Sequence, residues 1–279
     1  MKFHDVEQNS EAWLELRLGK VTASRFGAMM AFDSDPVDDY IKLNFGPKDH
    51  VDKSIFNFLN GKRLGSNQQK TVDFIKSHVK HDFDDTEKCI HDSILSHSKA
   101  LNLPKNDFGD QAKGYALQLA LEIINNRSSD YGFSNAEMER GHMQEPVARM
   151  LYEDEYFVTV ENGGFFDCGE YGTSPDGLVG EDGGIEIKSV IPTTHFANLQ
   201  RGGIDPAYKW QVIGHLDCTG RNWFDFVSFC SDFPPEKRLL VYRTNRIDVV
   251  NEIQSLRERR SQFLGLVQDT IKFIKGNFT

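Results

Sequence analysis

The stretch SPDGLVGEDGGIEIKS, residues 174–189, constrains the fold of this chain more than any other segment. Two apolar runs, 178–179 and 184–190, flank the turn GEDG, which is a strong β-hairpin signal. Side chains alternate along a strand, so Ile185 and Ile187 face one side while Glu186 and Lys188 face the other, about 6–7 Å apart. Asp176 enters the partner strand just before Gly177 and can lie across from Glu186. A pair of carboxylates and an ammonium group are thereby brought to one place on a sheet.

That combination has a chemistry. Hard oxygen donors with room for water suit Mg²⁺ or Mn²⁺, as one ion or two. Such a metal lowers the pKa of a bound water and stabilises charge on a scissile phosphate; two ions would lie about 4 Å apart. Lys188 is placed to orient or deprotonate the attacking water, or to neutralise the developing charge. The base role requires a pKa depressed by burial. Taken alone, the same residues equally describe an exposed hairpin with ordinary cross-strand charge pairs.

The 279 residues are enough for one large domain, or for a domain carrying an insertion. No long uncharged apolar run marks a transmembrane helix, and the polar N-terminus lacks the order of a secretory signal. Cys89, Cys168, Cys218 and Cys230 form no CxxC pair, which argues against a zinc ribbon, an iron–sulfur site and a disulfide framework. The expectation is a cytoplasmic protein (host cytoplasm if phage-encoded). The formal charge of −10 disfavours a uniformly basic nucleic-acid binder. From Lys237 onward, however, nine Lys/Arg stand against four Asp/Glu, a local balance of +5 on a body of −15.

Along the chain, Ser10 is placed to cap a short helix through Trp13 and Arg17 that stops at Gly19. A second helix opens near Thr22 or Ser24. Residues 33–111 change character: they are polar, hold five of the nine histidines, and read as an inserted helical subdomain. Those histidines follow no HxxxH or HExxH order and read as solvated helix faces. The run 113–125 is apolar nearly all round and reads as a buried helix. In the helix at 137–152, Met143, Val147, Met150 and Leu151 are spaced for a buried face. Strand signatures follow from 156 to 190. A helix at 208–216, two further strands and a long amphipathic helix at 249–274 complete the chain. The fold class is α+β (mixed α/β), a central mixed sheet flanked by helices.

Four segments in this order, WLELRLGKVTASRF, RGHMQEPVARMLYE, SPDGLVGEDGGIEIKS and AYKWQVIGHL, resemble the lambda-type exonucleases of the viral-recombinase nuclease family. That family belongs to the PD-(D/E)xK superfamily, and its Pro–Asp is intact here in Pro175 and Asp176. The resemblance covers about two-thirds of the chain and skips 33–111. It implies a restriction-endonuclease-like core. It also implies that Glu145 joins Asp176 and Glu186 as a metal ligand with the backbone carbonyl of Ile187, and that Gln211 lies near the attacking water and Lys188. Read alone, Glu145 is an acidic residue in a first helical turn, and Gln211 a satisfied polar group on a helix edge.

The resemblance further makes Arg17 and Ser24 a pocket for a DNA 5′-phosphate. Arginine offers a bidentate fork for phosphate, and a hydroxyl at a helix start makes an anion site. Their plain readings are a helix-end cation and an N-cap. Met138 matches an apolar wedge at the duplex end, or simple packing, and Arg140 is placed to touch the DNA backbone. Arg257, Arg259 and Arg260 read as a solvated face rather than a DNA channel. The implied activity is 5′→3′ degradation of one strand of linear double-stranded DNA, leaving a 3′ tail for recombination. Implied partners are DNA ends, further copies in a trimeric ring, and a single-strand annealing protein, with no membrane. A structure-specific or restriction-like endonuclease of the same fold is the rival reading, and a non-catalytic DNA-binding module a weaker one.

Overall fold

The computed structural model describes residues 1–31, 36–78, 87–101, 108–128 and 136–276. Within them it leaves out the side chains at 36–39, 78, 87–89, 98–99, 136–139 and 142. The chain divides into two compact units, Met1–Ala31 with Asp110–Thr279, and Phe32–Gly109.

The first unit opens with β1 (Lys2–His4), α1 (Glu11–Arg17), β2 (Val21–Thr22), a 3-10 turn (Ala23–Arg25) and α2 (Phe26–Met30). Ser10 accepts the Trp13 N–H and so caps α1, a contact worth about 1 kcal/mol. The second unit follows as α3 (Pro36–Phe45), α4 (Lys48–Leu59), α5 (Ser66–His78) and α6 (Glu87–Ala100). The chain then returns to the first unit with α7 (Asp110–Asn125), α8 (Ala136–Tyr156), β3 (Val160–Glu161), β4 (Phe165–Asp167), β5 (Tyr171–Thr173), β6 (Gly177–Val179) and β7 (Gly183–Ser189). It ends with α9 (Pro192–Arg201), a 3-10 turn (Pro206–Tyr208), α10 (Lys209–Thr219), β8 (Trp223–Phe229), β9 (Leu239–Asn245) and α11 (Val250–Gly276). Glycines in the left-handed conformation, Gly202 and Gly220, terminate α9 and α10.

Two mixed sheets organise the first unit, in the orders β1-β4-β5-β2 and β3-β6-β7-β8-β9. Within the larger, β6 and β7 form the antiparallel hairpin, pairing Gly177 with Ile185, and β7 runs parallel to β8. A parallel neighbour requires a crossover, and here α9 and α10 supply it. Ile185 and Ile187 are buried among Ala148 and Tyr152 of α8 and Val160, Val179, Val227 and Phe229. Burying an isoleucine of this kind stabilises the fold by about 2–3 kcal/mol. The opposite face of β7 carries Glu186, which meets α10. Strand alternation thus turns an apolar face of the hairpin to α8 and the Glu186 carboxylate to Gln211 and His215 of α10.

The second unit packs Phe45, Val51, Ile55, Ile75, Ile90 and Ile94 into a core of its own. Its histidines serve local contacts: His50 with Thr71 at 3.0 Å, His91 with Asp52 at 3.1 Å and His97 with Tyr40 at 3.4 Å. They are half-buried rather than fully solvated. The side chains of His78 and His81 lie outside the described residues.

Three helices differ from their sequence reading. In α8, Met143, Val147 and Met150 point outward, and the residues it buries are Ala148 and Tyr152. Four-residue spacing identifies a stripe but not the direction it faces. In α7, Leu117, Leu121 and Ile123 are likewise exposed, so that helix is buried on one side only. In α11, Arg259 and Arg260 are buried. Arg260 joins Arg257 on the Asp217 carboxylate at 2.8 and 2.7 Å and stacks 3.5 Å from the Tyr171 ring. Arg259 donates to the Ala31 carbonyl. Arg259 and Arg260 hold α11 to its neighbours and are no solvated face, whereas Arg257 is exposed while it pairs with Asp217. Among the described residues no helix is long and apolar enough to cross a membrane.

Candidate active site

Asp176 occupies the turn that leads into β6, and several unrelated elements clamp that turn. Gln8 donates to the Pro175 carbonyl at 3.0 Å, and Arg149 of α8 donates to the Asp176 carbonyl at 2.6 Å. Trp13 Nε1 donates to Ser174 Oγ at 2.7 Å. Gly163 packs so closely that a Cβ there would stand 1.7 Å from the Pro175 carbonyl oxygen. The position needs a glycine because only a bare backbone can approach so near.

From this turn the Asp176 carboxylate accepts the Ile187 N–H at 2.6 Å. Burial raises its pKa well above the usual carboxylate range, and the nearby charges of Glu186 and Glu145 add to the rise, against the opposing Lys188. Carboxylates crowded together in this way ask for more positive charge than one lysine provides.

Glu186 is fully buried and satisfied on both oxygens. Oε1 meets Lys188 Nζ at 2.5 Å and accepts from Gln211 Nε2 at 2.5 Å, while Oε2 lies 2.6 Å from His215 Nε2. Burial works against its ionisation, yet Lys188 and His215 outweigh that and hold its pKa below the ordinary glutamate value. Burial alone would lower the Lys188 pKa as well. The Glu186 and Asp176 charges prevail and hold it above the usual lysine range. The direction of the shift favours the ammonium form of Lys188 in this arrangement.

A cleft of about 510 Å³ opens at the carboxyl end of β7. It is lined by Glu145, Asp176, Ile187, Lys188 and Gln211, with Ser24 and Arg140 on its walls. Ligand clefts favour this end of a strand in open α/β sheets. A second cavity of about 490 Å³ shares Glu145 and Asp176 and reaches Arg149 and Gln8. Glu145 does not stand in a first helical turn: α8 begins at Ala136, which puts Glu145 and Pro146 mid-helix. Proline there removes one intrahelical hydrogen bond next to the cleft. Arg140 donates to the Ser189 carbonyl at 3.4 Å. The Met138 side chain lies outside the described residues.

The donor set is chemically suited to a hard divalent cation: carboxylate oxygens and a peptide carbonyl. Among the described residues, however, no three His, Cys, Asp or Glu side chains form a ready cluster for a metal. Glu186 is turned inward to His215 and Gln211, and the cleft wall belongs to Asp176 and Glu145.

Arg17 and Ser24 belong to a neighbouring patch. Ser24 lies inside the 3-10 turn, exposed and hydrogen-bonded to Thr22 Oγ1 at 3.3 Å, so it caps no helix with its side chain. Arg17 stacks on Trp13 at 3.9 Å. The Tyr115 hydroxyl accepts the Thr22 N–H at 3.2 Å, and Arg25 stacks 4.5 Å from the same ring. Burial raises the Tyr115 pKa, while the nearby charges of Arg25 and Arg17 pull it down. Arg25 thus stacks on Tyr115, and Arg17 on Trp13, in the segment that carries Ser24.

Sequence reasoning missed His215, Thr173, Arg25 and Tyr115. The available signal for His215 was its position four residues after Gln211, which places both on one face of α10.

Residues 76–222 match the YqaJ-like viral recombinase domain. The crystal structure of an alkaline exonuclease (LHK-Exo) from Laribacter hongkongensis is similar to this chain with a TM-score of 0.60 and 25% identity, covering 95% of this chain and 96% of that one. The complex of LHK-Exo with dAMP gives 0.61 at 25% identity, over 95% and 96%. No curated protein matches the chain in sequence.

Proposed function

The chain belongs to the YqaJ-like viral recombinase family, and from that premise we propose that it is a Mg²⁺-dependent DNA exonuclease. It works 5′→3′ on linear double-stranded DNA and leaves a 3′ single-stranded tail for recombination. The observation that carries this reading is the shared cleft, in which Glu145, Asp176, Lys188 and Gln211 face one space with Ser24 and Arg140 on its walls. The likeness to LHK-Exo, an alkaline exonuclease crystallised also with dAMP, supports a DNA substrate.

Asp176, Glu145, Glu186 and the Ile187 carbonyl would hold the metal. When bound, Mg²⁺ supplies Lewis-acid charge against the scissile phosphate and eases ionisation of the attacking water. Lys188, fixed as a cation, offsets charge on the phosphate. Gln211 orients Glu186 and the water beside it. Arg17 and Ser24 hold the 5′-phosphate, and Arg140 steadies the DNA backbone.

The exposed stripe Met143, Val147 and Met150 supports self-association, for which a trimeric ring is the proposed form. A monomeric mass by light scattering with undiminished processivity would overturn that form. The unit Phe32–Gly109 is proposed as an inserted subdomain of the nuclease domain, a reading its separate core supports. Tryptic excision of a folded 32–109 fragment is the expected outcome, and random cleavage within it would argue against the assignment. The 3′ tail is the product a single-strand annealing protein would bind.

The decisive experiment digests linear duplexes bearing 5′-phosphate or 5′-hydroxyl ends, and covalently closed circles, with and without Mg²⁺. Phosphorylated linear DNA is degraded fastest and circles survive. Lys188→Ala loses roughly 10²–10³-fold in kcat. Cleavage of closed circles would identify an endonuclease instead, and no cleavage of any substrate ends the enzyme reading.

A further inference from the structure

His215 lies outside every role assigned so far, yet its surroundings are built around it. It is fully buried on α10 and stacks on Phe224 with ring centroids 5.1 Å apart. Its Nδ1 stands 2.6 Å from Thr173 Oγ1, and its Nε2 stands 2.6 Å from Glu186 Oε2. Thr173 is itself fully buried on β5, in the smaller sheet. A polar line thus runs from one sheet, through a helix, to a carboxylate on the other.

The direction of the hydrogen bond to Glu186 follows from the chemistry of the groups. The Glu186 carboxylate accepts only, so the Nε2 atom must carry a proton and donate. Nδ1 faces the Thr173 hydroxyl, which can either donate to it or accept from it. Thr173 therefore fixes the ring so that Nε2 points at Glu186. His195, by contrast, places its ring nitrogens on Ser228 Oγ and the Lys237 carbonyl, and neither of these residues lines the cleft. His215 differs in ending on the carboxylate that Lys188 and Gln211 share.

We infer that His215, locked by Thr173, is a positioning residue that takes up one oxygen of Glu186 and leaves the other to Lys188 and Gln211, fixing the carboxylate beside the metal site. This rests on the exonuclease reading above. Groups that orient a metal-binding carboxylate typically account for about 10–100-fold in metal affinity or activity.

The test compares wild type with His215→Phe, His215→Gln and Thr173→Val. Phenylalanine keeps the stack on Phe224 and removes the donor, whereas glutamine can return an N–H to Glu186. The expected outcome for His215→Phe and Thr173→Val is a 10–100-fold fall in kcat with unchanged KM for DNA. Mn²⁺ affinity measured by calorimetry without DNA falls by a similar factor, and His215→Gln recovers most of both. Thr173→Val keeps its volume and leaves His215 in place, so it answers the question even where His215→Phe does not fold. Equal kcat and equal Mn²⁺ affinity in Thr173→Val and wild type would overturn the inference. So would a loss in His215→Phe that His215→Gln does not relieve. If wild type itself cuts no DNA, the exonuclease reading fails, and calorimetry alone still decides the role of His215 in metal binding.

Discussion

The floor of the cleft and its rim are built on different principles. The floor, with Asp176, Glu186, Lys188 and Gln211, stands on strands and a long helix. Glu186 is fully buried and Asp176 half-buried, and their hydrogen bonds are mostly between 2.5 and 2.6 Å. The rim, meaning Ser24 on the cleft wall with the neighbouring patch of Arg17 and Arg25, stands on a short helix end and a 3-10 turn. It is partly exposed and held by ring stacking at 3.9 and 4.5 Å. Buried ionic groups interact strongly because little water screens them, whereas exposed ones are worth far less. The floor is therefore suited to chemistry and the rim to recognition, where partial exposure lets a phosphate arrive.

The largest effect that can sharpen this contrast lies on the floor. Asp176→Ala is expected to abolish Mg²⁺-dependent cleavage to at least about 10³-fold below wild type while DNA binding in EDTA persists, measured by single-turnover digestion and fluorescence anisotropy. A rim substitution with an equally large effect on kcat would break the distinction. Arg17→Ala is expected to cost about 10–100-fold in kcat/KM on 5′-phosphorylated ends, the worth of a charge-assisted hydrogen bond, and almost nothing on 5′-hydroxyl ends. Competition between the two substrates reads this directly. Should both ends suffer alike, the arginine supports the fold and not the phosphate.

The smallest effect is on stability. Asp176 has its folded pKa raised well above the ordinary aspartate value of 3.8. Its contribution is therefore complete below that value and is lost as pH rises through the folded pKa. Glu186, shifted down from 4.5, behaves oppositely and matters only at more acidic pH. In EDTA the melting temperature should fall by a few degrees as pH rises above about 4, with Asp176→Asn flattening the slope. Mg²⁺ should oppose the fall, since it binds the ionised carboxylate. A slope that Asp176→Asn leaves intact would assign the effect elsewhere.

How much of this was legible beforehand follows the same division. The hairpin was readable because period-two alternation around GEDG admits few alternatives, and one register slip would bury lysine in place of isoleucine. The inward-facing side of α8 was not, because Met143, Val147 and Met150 outweigh Ala148 in any apolar pattern although Ala148 is the buried one. His215 went unread because a single histidine in an apolar helix carries no mark of its partner. Thr173 and Glu186 reach it from 42 and 29 positions away. Arg259 and Arg260 looked like surface charge because sequence shows a charge but not the Asp217 carboxylate or the Ala31 carbonyl that receives it. The patch of Arg17 and Ser24 lay between these cases: its residue types suggested anion binding, but not the second arginine, Arg25.

The clamps on the Asp176 turn have a consequence for the order in which the molecule is made. Gln8 and Trp13 leave the ribosome early, yet their partners Pro175 and Ser174 lie 167 and 161 positions later. Gln211 and His215 arrive later still. Contacts of such separation form slowly, since a long loop must close before any of them is rewarded. A nascent chain can complete its N-terminal helix and much of the α-helical unit while holding no assembled carboxylate cluster at all. Competence to cut is thus acquired in one late step, when the crossover brings α10 onto the strand that carries Glu186.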